Sequence, residues 1–163
     1  MSYRENEPTF ATADLCDQHG ENVQVAEPAL RHFGGRASFS GPIATVEVYE
    51  DNSLVRAELE TVGAGRVLVV QGGGSLRVAL LGGNLVVLAH KNGWAGIVVH
   101  GAVRDTHELA RADVGILALA SCPRRSRKDN QGARDRMVSF LGVDFRPGER
   151  LYADADGLIV LPK

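Results

Sequence analysis

The sequence predicts a mixed α/β domain of layered type, and three observations carry this prediction. Strand-like and helix-like segments alternate through the middle of the chain, whereas both ends are rich in strand-like segments. The 163 residues match the length of one domain, and a hydrophobic content of 44% is enough for a buried core. No segment repeats, and none is low in complexity. We therefore expect residues 1–163 to form a single domain.

The first part of the chain predicts a helix, a strand and a second helix. Residues 12–17 predict a short helix, and Thr12 offers a side-chain oxygen to the free amides of its first turn. Residues 43–49 are rich in β-branched side chains and alternate with a period of two, which is typical of a half-buried strand. Residues 52–62 carry apolar side chains at the spacing of an amphipathic helix.

The middle of the chain contains two glycine turns. Apolar residues 67–70 predict a buried strand that ends at the first turn, residues 72–75. A helical segment is expected over residues 75–81, and a helix from about residue 84 to residue 91 follows the second turn. The remaining predictions are a buried strand over residues 95–101, a short helix over 106–112, a strand over 114–121, a mobile polar loop over 123–136, and short strands beyond it.

Charge and cysteine content exclude several classes of function. The net charge of −2 gives no global attraction to nucleic acid or to an anionic membrane. Cys16 and Cys122 form neither a CxxC pair nor a zinc spacing, which favours reduced thiols. No apolar run approaches the roughly 18 residues of a membrane-spanning helix, and the N-terminus lacks a signal sequence. We expect a cytoplasmic protein that binds neither nucleic acid directly nor a membrane.

The first glycine turn, Gly-Gly-Gly-Ser at residues 72–75, is weak evidence for a nucleotide cofactor. The third glycine of a dinucleotide fingerprint is missing, and Asp105 lies beyond the spacing of its acidic residue. No lysine follows the turn as in a phosphate loop. An S-adenosylmethionine site has a similar shape, so a methyltransferase is a remote alternative. A tight turn that only allows close backbone packing is the preferred interpretation.

The second glycine turn, Gly-Gly-Asn-Leu at residues 82–85, is stronger evidence for a ligand site. It lies where a helix begins, and the first amides of a helix lack intrahelical partners and bind carboxylate or phosphate. Downstream, Arg104 and Asp105 follow a buried strand. An arginine binds a carboxylate or keto oxygen, and an adjacent aspartate can hold Mg²⁺ or Mn²⁺. A solvated surface Arg-Asp pair is the alternative interpretation.

Six stretches of the sequence together resemble one protein family. They are "TADLCD", "FGGRASFSGPIATVEVYEDN", "GRVLVVQGGGSLRVALLGGNL", "GWAGIVVHGAVRD", "DVGILALASCPRRS" and "LYADADGLIV". The family holds the regulator of ribonuclease activity A (RraA) and the 4-hydroxy-4-methyl-2-oxoglutarate aldolases, and the resemblance covers nearly the whole chain. It implies a layered swivelling β/β/α domain, a ring-shaped homotrimer and a site at a subunit interface.

The resemblance also implies roles for individual residues. The backbone amides that would bind the substrate carboxylate are those of Gly82, Gly83, Asn84 and Leu85. Arg104 would contact the carboxylate or keto oxygen of a 2-oxo acid and stabilise its enolate, and Asp105 would hold the divalent cation, Mg²⁺ or Mn²⁺. The implied reactions are aldol cleavage to pyruvate and oxaloacetate decarboxylation, which share a pyruvate enolate.

One position departs from the aldolases that the sequence resembles. Those enzymes carry an aspartate, twenty intervening residues and then Arg-Asp, and this spacing counted back from Arg104 ends at Gly83. One carboxylate fewer predicts weaker Mg²⁺ binding, because hard cations depend on charged oxygen ligands. Longer aldolases also bring acidic residues from a C-terminal extension; here Asp154 and Asp156 lie near the end, where turn residues are the preferred interpretation. The ribonuclease-regulator branch shares the loss at position 83.

Two functions from different classes therefore stay open. The first is a metal-dependent aldolase and oxaloacetate decarboxylase, and the second is a regulator that binds and inhibits ribonuclease E and has a degenerate pocket. We favour the enzyme because the glycine turn at residues 82–85 and the pair Arg104-Asp105 are retained. The basic cluster "PRRSRK" at residues 123–128 is interpreted as a solvated loop, with contact to RNA or an acidic partner as the alternative.

Overall fold

The structure is a computed structural model that describes residues 9–163. Its helices are α1 (Thr12–His19), α2 (Ser53–Leu59), α3 (Gly83–Lys91) and α4 (Thr106–Leu109), with a 3₁₀ turn (Gly20–Asn22) after α1. Its strands are β1 (Gln24–Val25), β2 (Arg31–His32), β3 (Phe39–Glu47), β4 (Val67–Gln71), β5 (Ala79–Leu81), β6 (Gly96–Val103), β7 (Gly115–Ser121), β8 (Ala133–Arg134), β9 (Val138–Phe140), β10 (Val143–Phe145), β11 (Arg150–Asp154) and β12 (Gly157–Leu161). None of the helices in this range is long and apolar enough to cross a membrane.

The main sheet has a parallel centre and antiparallel flanks. Its order is β1-β12-β11-β3-β4-β6-β7-β2, with β5 beside β6 and β8 beside β3. The strands β3, β4, β6 and β7 are parallel, and β5 pairs in parallel with the end of β6. The long strand β3 pairs with β11 through its first half and with β4 through its second half, so it joins the two parts of the sheet. The predicted α/β class is confirmed.

The core lies on both faces of the central strands. In β4, Leu68 and Val70 pack with the apolar sides of α2, α3 and α4, whereas Val67 and Val69 face the opposite layer. That second layer is built from β9 to β12 and includes Phe145. Every residue of β4 from 67 to 70 has no exposed surface, which explains why this strand is apolar without alternation. The result is the layered β/β/α arrangement that the family resemblance implies.

The helix predicted over residues 75–81 is wrong. The last three residues form β5, which is buried beside β6, and the preceding residues form a turn. The polar side chains of that turn bond to the carboxylate of Glu50: Ser75 Oγ donates at 2.7 Å and Arg77 Nε at 2.6 Å. These bonds lower the pKa of the Glu50 carboxyl, with Arg77 as the main cause. Tertiary contacts therefore outweigh the helical spacing of a short apolar segment.

The helix α1 begins at Thr12, but the predicted cap is wrong. The carboxylate of Asp154, at the end of β11, accepts hydrogen bonds from the Thr12 hydroxyl at 2.7 Å and the Thr12 amide at 2.8 Å. Burial raises the pKa of the Asp154 carboxyl, but bonds from Thr12 and the following turn outweigh this effect and hold the pKa below its ordinary value. Asp154 is thus a structural residue that anchors α1 to the sheet.

The mobile loop predicted over residues 123–136 is wrong, because its backbone is bonded to the core. The Arg127 amide donates to the Glu50 carbonyl at 2.9 Å, and the Asp129 amide donates to the Asp51 carboxylate at 2.6 Å. Further along, β8 pairs with β3. Most side chains of the loop are exposed, as its polar composition predicts, but the main chain is held in place.

Candidate active site

The carboxyl end of β5 runs directly into the N-terminus of α3. Gly82 is the N-cap residue of α3 and has no side chain of its own to cap the helix. The Val86 amide donates to the Gly82 carbonyl at 3.2 Å, so the amides of Gly83, Asn84 and Leu85 precede the first intrahelical bond. Their N–H groups form the positive end of the helix dipole, which favours an anion. We call residues 82–85 the glycine cradle.

Arg104 and Asp105 reach the cradle from the end of β6. The Arg104 amide donates to the Leu81 carbonyl at 2.9 Å, which holds the end of β6 beside the glycine turn. Asp105 adopts the left-handed conformation, with φ 57° and ψ 42°, and its Oδ2 accepts a hydrogen bond from the Gly83 amide at 2.9 Å. An anionic oxygen therefore already lies on a cradle amide, which shows that this amide suits a carboxylate.

The ends of two acidic side chains lie close to the glycines of the cradle. A Cβ on Gly82 would lie 2.8 Å from Asp105 Oδ2, and a Cβ on Gly83 would overlap the Glu108 carboxylate. Neither glycine has a positive φ, so a side chain at either position meets no backbone strain and would have to displace the ends of these flexible side chains. Glu108, which lies in α4 three residues after Asp105, is absent from the sequence-based site.

One cavity of about 280 Å³ contains all residues that the sequence assigns to the site. The whole cradle, Arg104 and Asp105 line it, together with side chains of α2 and of the segment after β7. This volume suits a small metabolite. None of His32, His90 and His100 lines the cavity.

The cavity is strongly cationic. Among the described residues that line it, the basic side chains are those of Arg56, Arg104, Arg125 and Lys128, and Asp105 is the single acidic one. The chain as a whole is slightly acidic, so this excess of positive charge is local. A small ligand with more than one negative charge matches such a cavity.

The basic segment, residues 123–128, supplies two of these cations and is the part of the site that sequence reasoning missed. The Ala79 amide donates to the Arg124 carbonyl at 2.7 Å, and Arg125 forms an isolated bridge with Ala79 at the start of β5. Ser126 is buried and lines the cavity between Arg125 and Lys128. The density of basic residues was visible in the sequence, but composition alone does not distinguish a solvated loop from a cavity wall.

The first glycine turn is closed and lies outside the cavity. Gly73 and Gly74 have φ of 68° and 73°, and the Gly73 amide donates to Gln71 Oε1 at 2.8 Å. The same oxygen accepts a bond from His100 Nδ1 at 2.8 Å, and the His100 ring stacks on Phe140. Burial lowers the pKa of His100. The turn is a tight structural one that requires glycine conformations.

Comparison with known proteins finds one matching family and several close relatives. The family model described as RraA-like, "Aldolase/RraA", matches residues 12–160. The chain belongs to the RraA-like family. A protein of Burkholderia multivorans is 59% identical over 157 residues, which cover 93% of this chain and 96% of the relative. One of Burkholderia mallei is 58% identical over 156 residues, covering 93% and 94%. Both are provisionally named 4-hydroxy-4-methyl-2-oxoglutarate aldolase.

Solved structures of the family carry different functional names. The RNA-processing inhibitor RraA of Thermus thermophilus matches with a TM-score of 0.92 and 52% identity, covering 94% of this chain and 93% of that one. A Geobacillus kaustophilus protein described as S-adenosylmethionine: 2-dimethylmenaquinone methyltransferase matches with a TM-score of 0.93 and 51% identity, covering 94% and 96%. The shared fold therefore does not decide between these activities. The residues of the site must decide between them.

Proposed function

We propose that this protein is an aldolase that cleaves 4-hydroxy-4-methyl-2-oxoglutarate to pyruvate and also decarboxylates oxaloacetate. The observation that carries the proposal is the convergence of the glycine cradle, Arg104 and Asp105 on one cationic cavity. The names of the Burkholderia relatives support the same substrate class. The closed first glycine turn, which lines no part of this cavity, argues against a methyltransferase.

The cradle and Arg104 bind the 2-oxo acid end of the substrate. The substrate carboxylate accepts hydrogen bonds from the amides of residues 83–85, and it replaces the Asp105 carboxylate on Gly83. The Arg104 guanidinium then lies beside the carboxylate or keto oxygen. Binding this end firmly orients the bond that breaks, which lies between the third and fourth carbons.

Arg104 stabilises the charge that develops during cleavage. In the aldol reaction the 4-hydroxyl loses its proton, the bond between the third and fourth carbons breaks, and its electron pair becomes a pyruvate enolate that is then protonated. In oxaloacetate, the bond between the third carbon and the departing carboxylate breaks, carbon dioxide leaves, and the electron pair of this bond forms the same pyruvate enolate. A fixed guanidinium beside the keto oxygen favours the enolate in both reactions.

The donor set beside the cradle fits a weakly held divalent cation. Asp105 and Glu108 both direct carboxylate oxygens toward the space next to Gly83, and Mg²⁺ is commonly bound by one or two carboxylates. Within residues 9–163 no group of three or more His, Cys, Asp or Glu side chains is arranged to hold a metal. We propose Asp105 as the principal ligand and Glu108 as a second one. A bound cation supplies Lewis-acid stabilisation of the enolate.

A pyruvate-release assay on the purified protein tests the proposal. We expect release from 4-hydroxy-4-methyl-2-oxoglutarate and from oxaloacetate, and faster release with Mg²⁺ or Mn²⁺ than with a chelator. Oxaloacetate loses carbon dioxide spontaneously, so the rate is compared with that of Arg104→Gln protein at the same metal concentration. No release above this control from either substrate would exclude the enzyme.

A ribonuclease regulator is the second candidate, and Gly83 is the observation that favours it. The carboxylate of the competent aldolases is absent there, and the Thermus thermophilus structure is described as an RNA-processing inhibitor. The test is cleavage of a model RNA by ribonuclease E with increasing amounts of this protein. Inhibition that persists in the Arg104→Gln variant would assign the regulatory role to a surface outside the cavity.

A further inference from the structure

The basic segment lines the same cavity as the glycine cradle, and the proposed chemistry leaves its cations without a role. Arg125 and Lys128 both line the cavity, whereas Arg124 and Arg127 of the same segment do not. The cradle and Arg104 already account for one carboxylate of a 2-oxo acid. Arg125 and Lys128 are therefore available to another part of the substrate.

Backbone bonds place the segment at a defined distance from the cradle. Arg125 forms a bridge with Ala79, and Gly82 follows Ala79 by three residues, which is about 10 Å along an extended strand. The segment is held on its other side as well, because the buried Asp51 carboxylate accepts the Asp129 amide at 2.6 Å. Arg125 and Lys128 thus line the cavity from a backbone that is bonded at both ends.

The cavity cations differ in their availability to a ligand. Arg56 donates to Glu60 Oε1 at 2.9 Å and is already partly neutralised. Within residues 9–163, neither Arg125 nor Lys128 forms an ion pair. A substrate anion would therefore reach these two cations without displacing a carboxylate of the described chain from them.

We infer that Arg125 and Lys128 bind the second carboxylate of a 2-oxo dicarboxylic acid. They are specificity-determining residues: the cradle and Arg104 hold the 2-oxo acid end, and Arg125 and Lys128 select substrates with a carboxylate at the far end. The inference rests on the proposed function for the identity of the reacting end. It adds that monocarboxylic 2-oxo acids are poor ligands because they leave these two cations unsatisfied.

Isothermal titration calorimetry with two non-cleavable probes tests this without turnover. The probes are 2-oxoglutarate, a dicarboxylate, and 2-oxobutyrate, a monocarboxylate, at the same Mg²⁺ concentration. We expect the wild-type protein to bind 2-oxoglutarate roughly tenfold more tightly, the effect of one charge-assisted contact. Arg125→Gln/Lys128→Gln should reduce the preference to near one without changing 2-oxobutyrate binding. The matched control Arg124→Gln/Arg127→Gln removes the same charge outside the cavity and should keep the preference.

The outcomes separate this inference from the proposed function. Equal binding of both probes by the wild type, no binding of either, or an equal loss of preference in the control variant would overturn the inference. If the preference depends on Arg125 and Lys128 but no pyruvate is released from any substrate, the binding subsite stands and the aldolase proposal fails. If pyruvate is released while the preference is unaffected by both double variants, the aldolase stands and this subsite assignment fails.

Discussion

Asp105 combines a strained backbone with a contact that substrate must displace. Its φ of 57° is unusual for a residue with a side chain, and aspartate and asparagine are among those that tolerate it best. Its Oδ2 bonds to the Gly83 amide, which the proposed substrate carboxylate requires. In the proposed mechanism, the Asp105 carboxylate would leave the cradle when substrate binds and become free to hold the cation, so one side chain would link the two binding events.

Asp105→Asn therefore tests the metal role with little change in the backbone. Asparagine keeps the left-handed conformation and an oxygen for the Gly83 amide but loses the negative charge. We expect metal-stimulated oxaloacetate decarboxylation to fall by about a hundredfold or more, since Lewis-acid stabilisation is worth several kcal/mol. Asp113→Asn is the control, because Asp113 forms an exposed ion pair with Arg36. Stimulation by Mg²⁺ that survives in Asp105→Asn would place the cation elsewhere.

Gly83→Asp restores the aldolase spacing to Arg104, and the structure shows what it requires. Gly83 has no positive φ, so an aspartate there meets no backbone strain, but its Cβ displaces the Glu108 carboxylate. Without metal, a new carboxylate beside Asp105 and Glu108 should lower the melting temperature through repulsion. With Mg²⁺ we expect a larger rise in melting temperature than in the wild type, and faster decarboxylation.

Glu108→Gln combined with Gly83→Asp separates repulsion from ligation. The double variant should recover stability without metal and bind Mg²⁺ more weakly than Gly83→Asp alone, because Glu108 is the proposed second ligand; thermal melts at several Mg²⁺ concentrations measure both effects. A well-folded Gly83→Asp protein with no gain in Mg²⁺ binding or in rate would count against the enzyme and favour the regulator.

Among the elements, the segment after β7 depends on Asp51 for its position. This carboxylate is 1% exposed and accepts the amides of Ser53 at 2.9 Å and Asp129 at 2.6 Å. Burial raises its pKa, but these bonds outweigh burial and hold the pKa of Asp51 below its ordinary value. Its stabilising effect is therefore complete above the unfolded-state pKa of about 3.9 and is lost as pH falls through the lower folded-state pKa.

Asp51→Asn should lower the free energy of unfolding by about 2 kcal/mol at pH 7, because the charged and buried acceptor of two backbone amides is lost. The difference from the wild type should disappear below the pKa of Asp51 in the folded protein. Urea unfolding at several pH values measures this, and trypsin cleavage within residues 123–136 reports the release of the segment. Asp129→Asn is the control, because Asp129 bonds to Asp51 through its backbone amide, which this substitution keeps. A difference in the free energy of unfolding that does not change with pH would assign the effect to packing.

Elements with a strong local pattern could be predicted from the sequence, and those held by distant partners could not. The apolar run of β4 and the start of α3 at the glycine cradle follow from composition and from turn residues. The strand β5 has three residues, too few to show a period, and its pairing with β6 decides its conformation. The loop after β7 has the composition of a solvated segment, and its order comes from Glu50 and Asp51, about 75 residues earlier.

At the scale of the whole molecule, one chain would supply two carboxylates to the proposed cation. The carboxylates near the cradle are those of Asp105 and Glu108, and the cavity is otherwise cationic. Hard cations require more oxygen ligands than these two side chains supply, so the rest must come from substrate, water or a second subunit. The family resemblance implies a trimer with its site at an interface, which would bring side chains of a neighbouring chain to the open side of the cavity.

We therefore predict a homotrimer whose activity depends on its assembly. Light scattering at micromolar concentration should give three times the chain mass of 17.4 kDa. On dilution through the dissociation range, pyruvate release per chain should fall in step with the trimer fraction, because a separated chain loses the ligands of its neighbour. Adding Mg²⁺ should shift the trimer to lower protein concentrations, since a cation that binds across the interface stabilises the assembled state. A stable monomer with full activity per chain would show that the cavity described here is complete in one subunit.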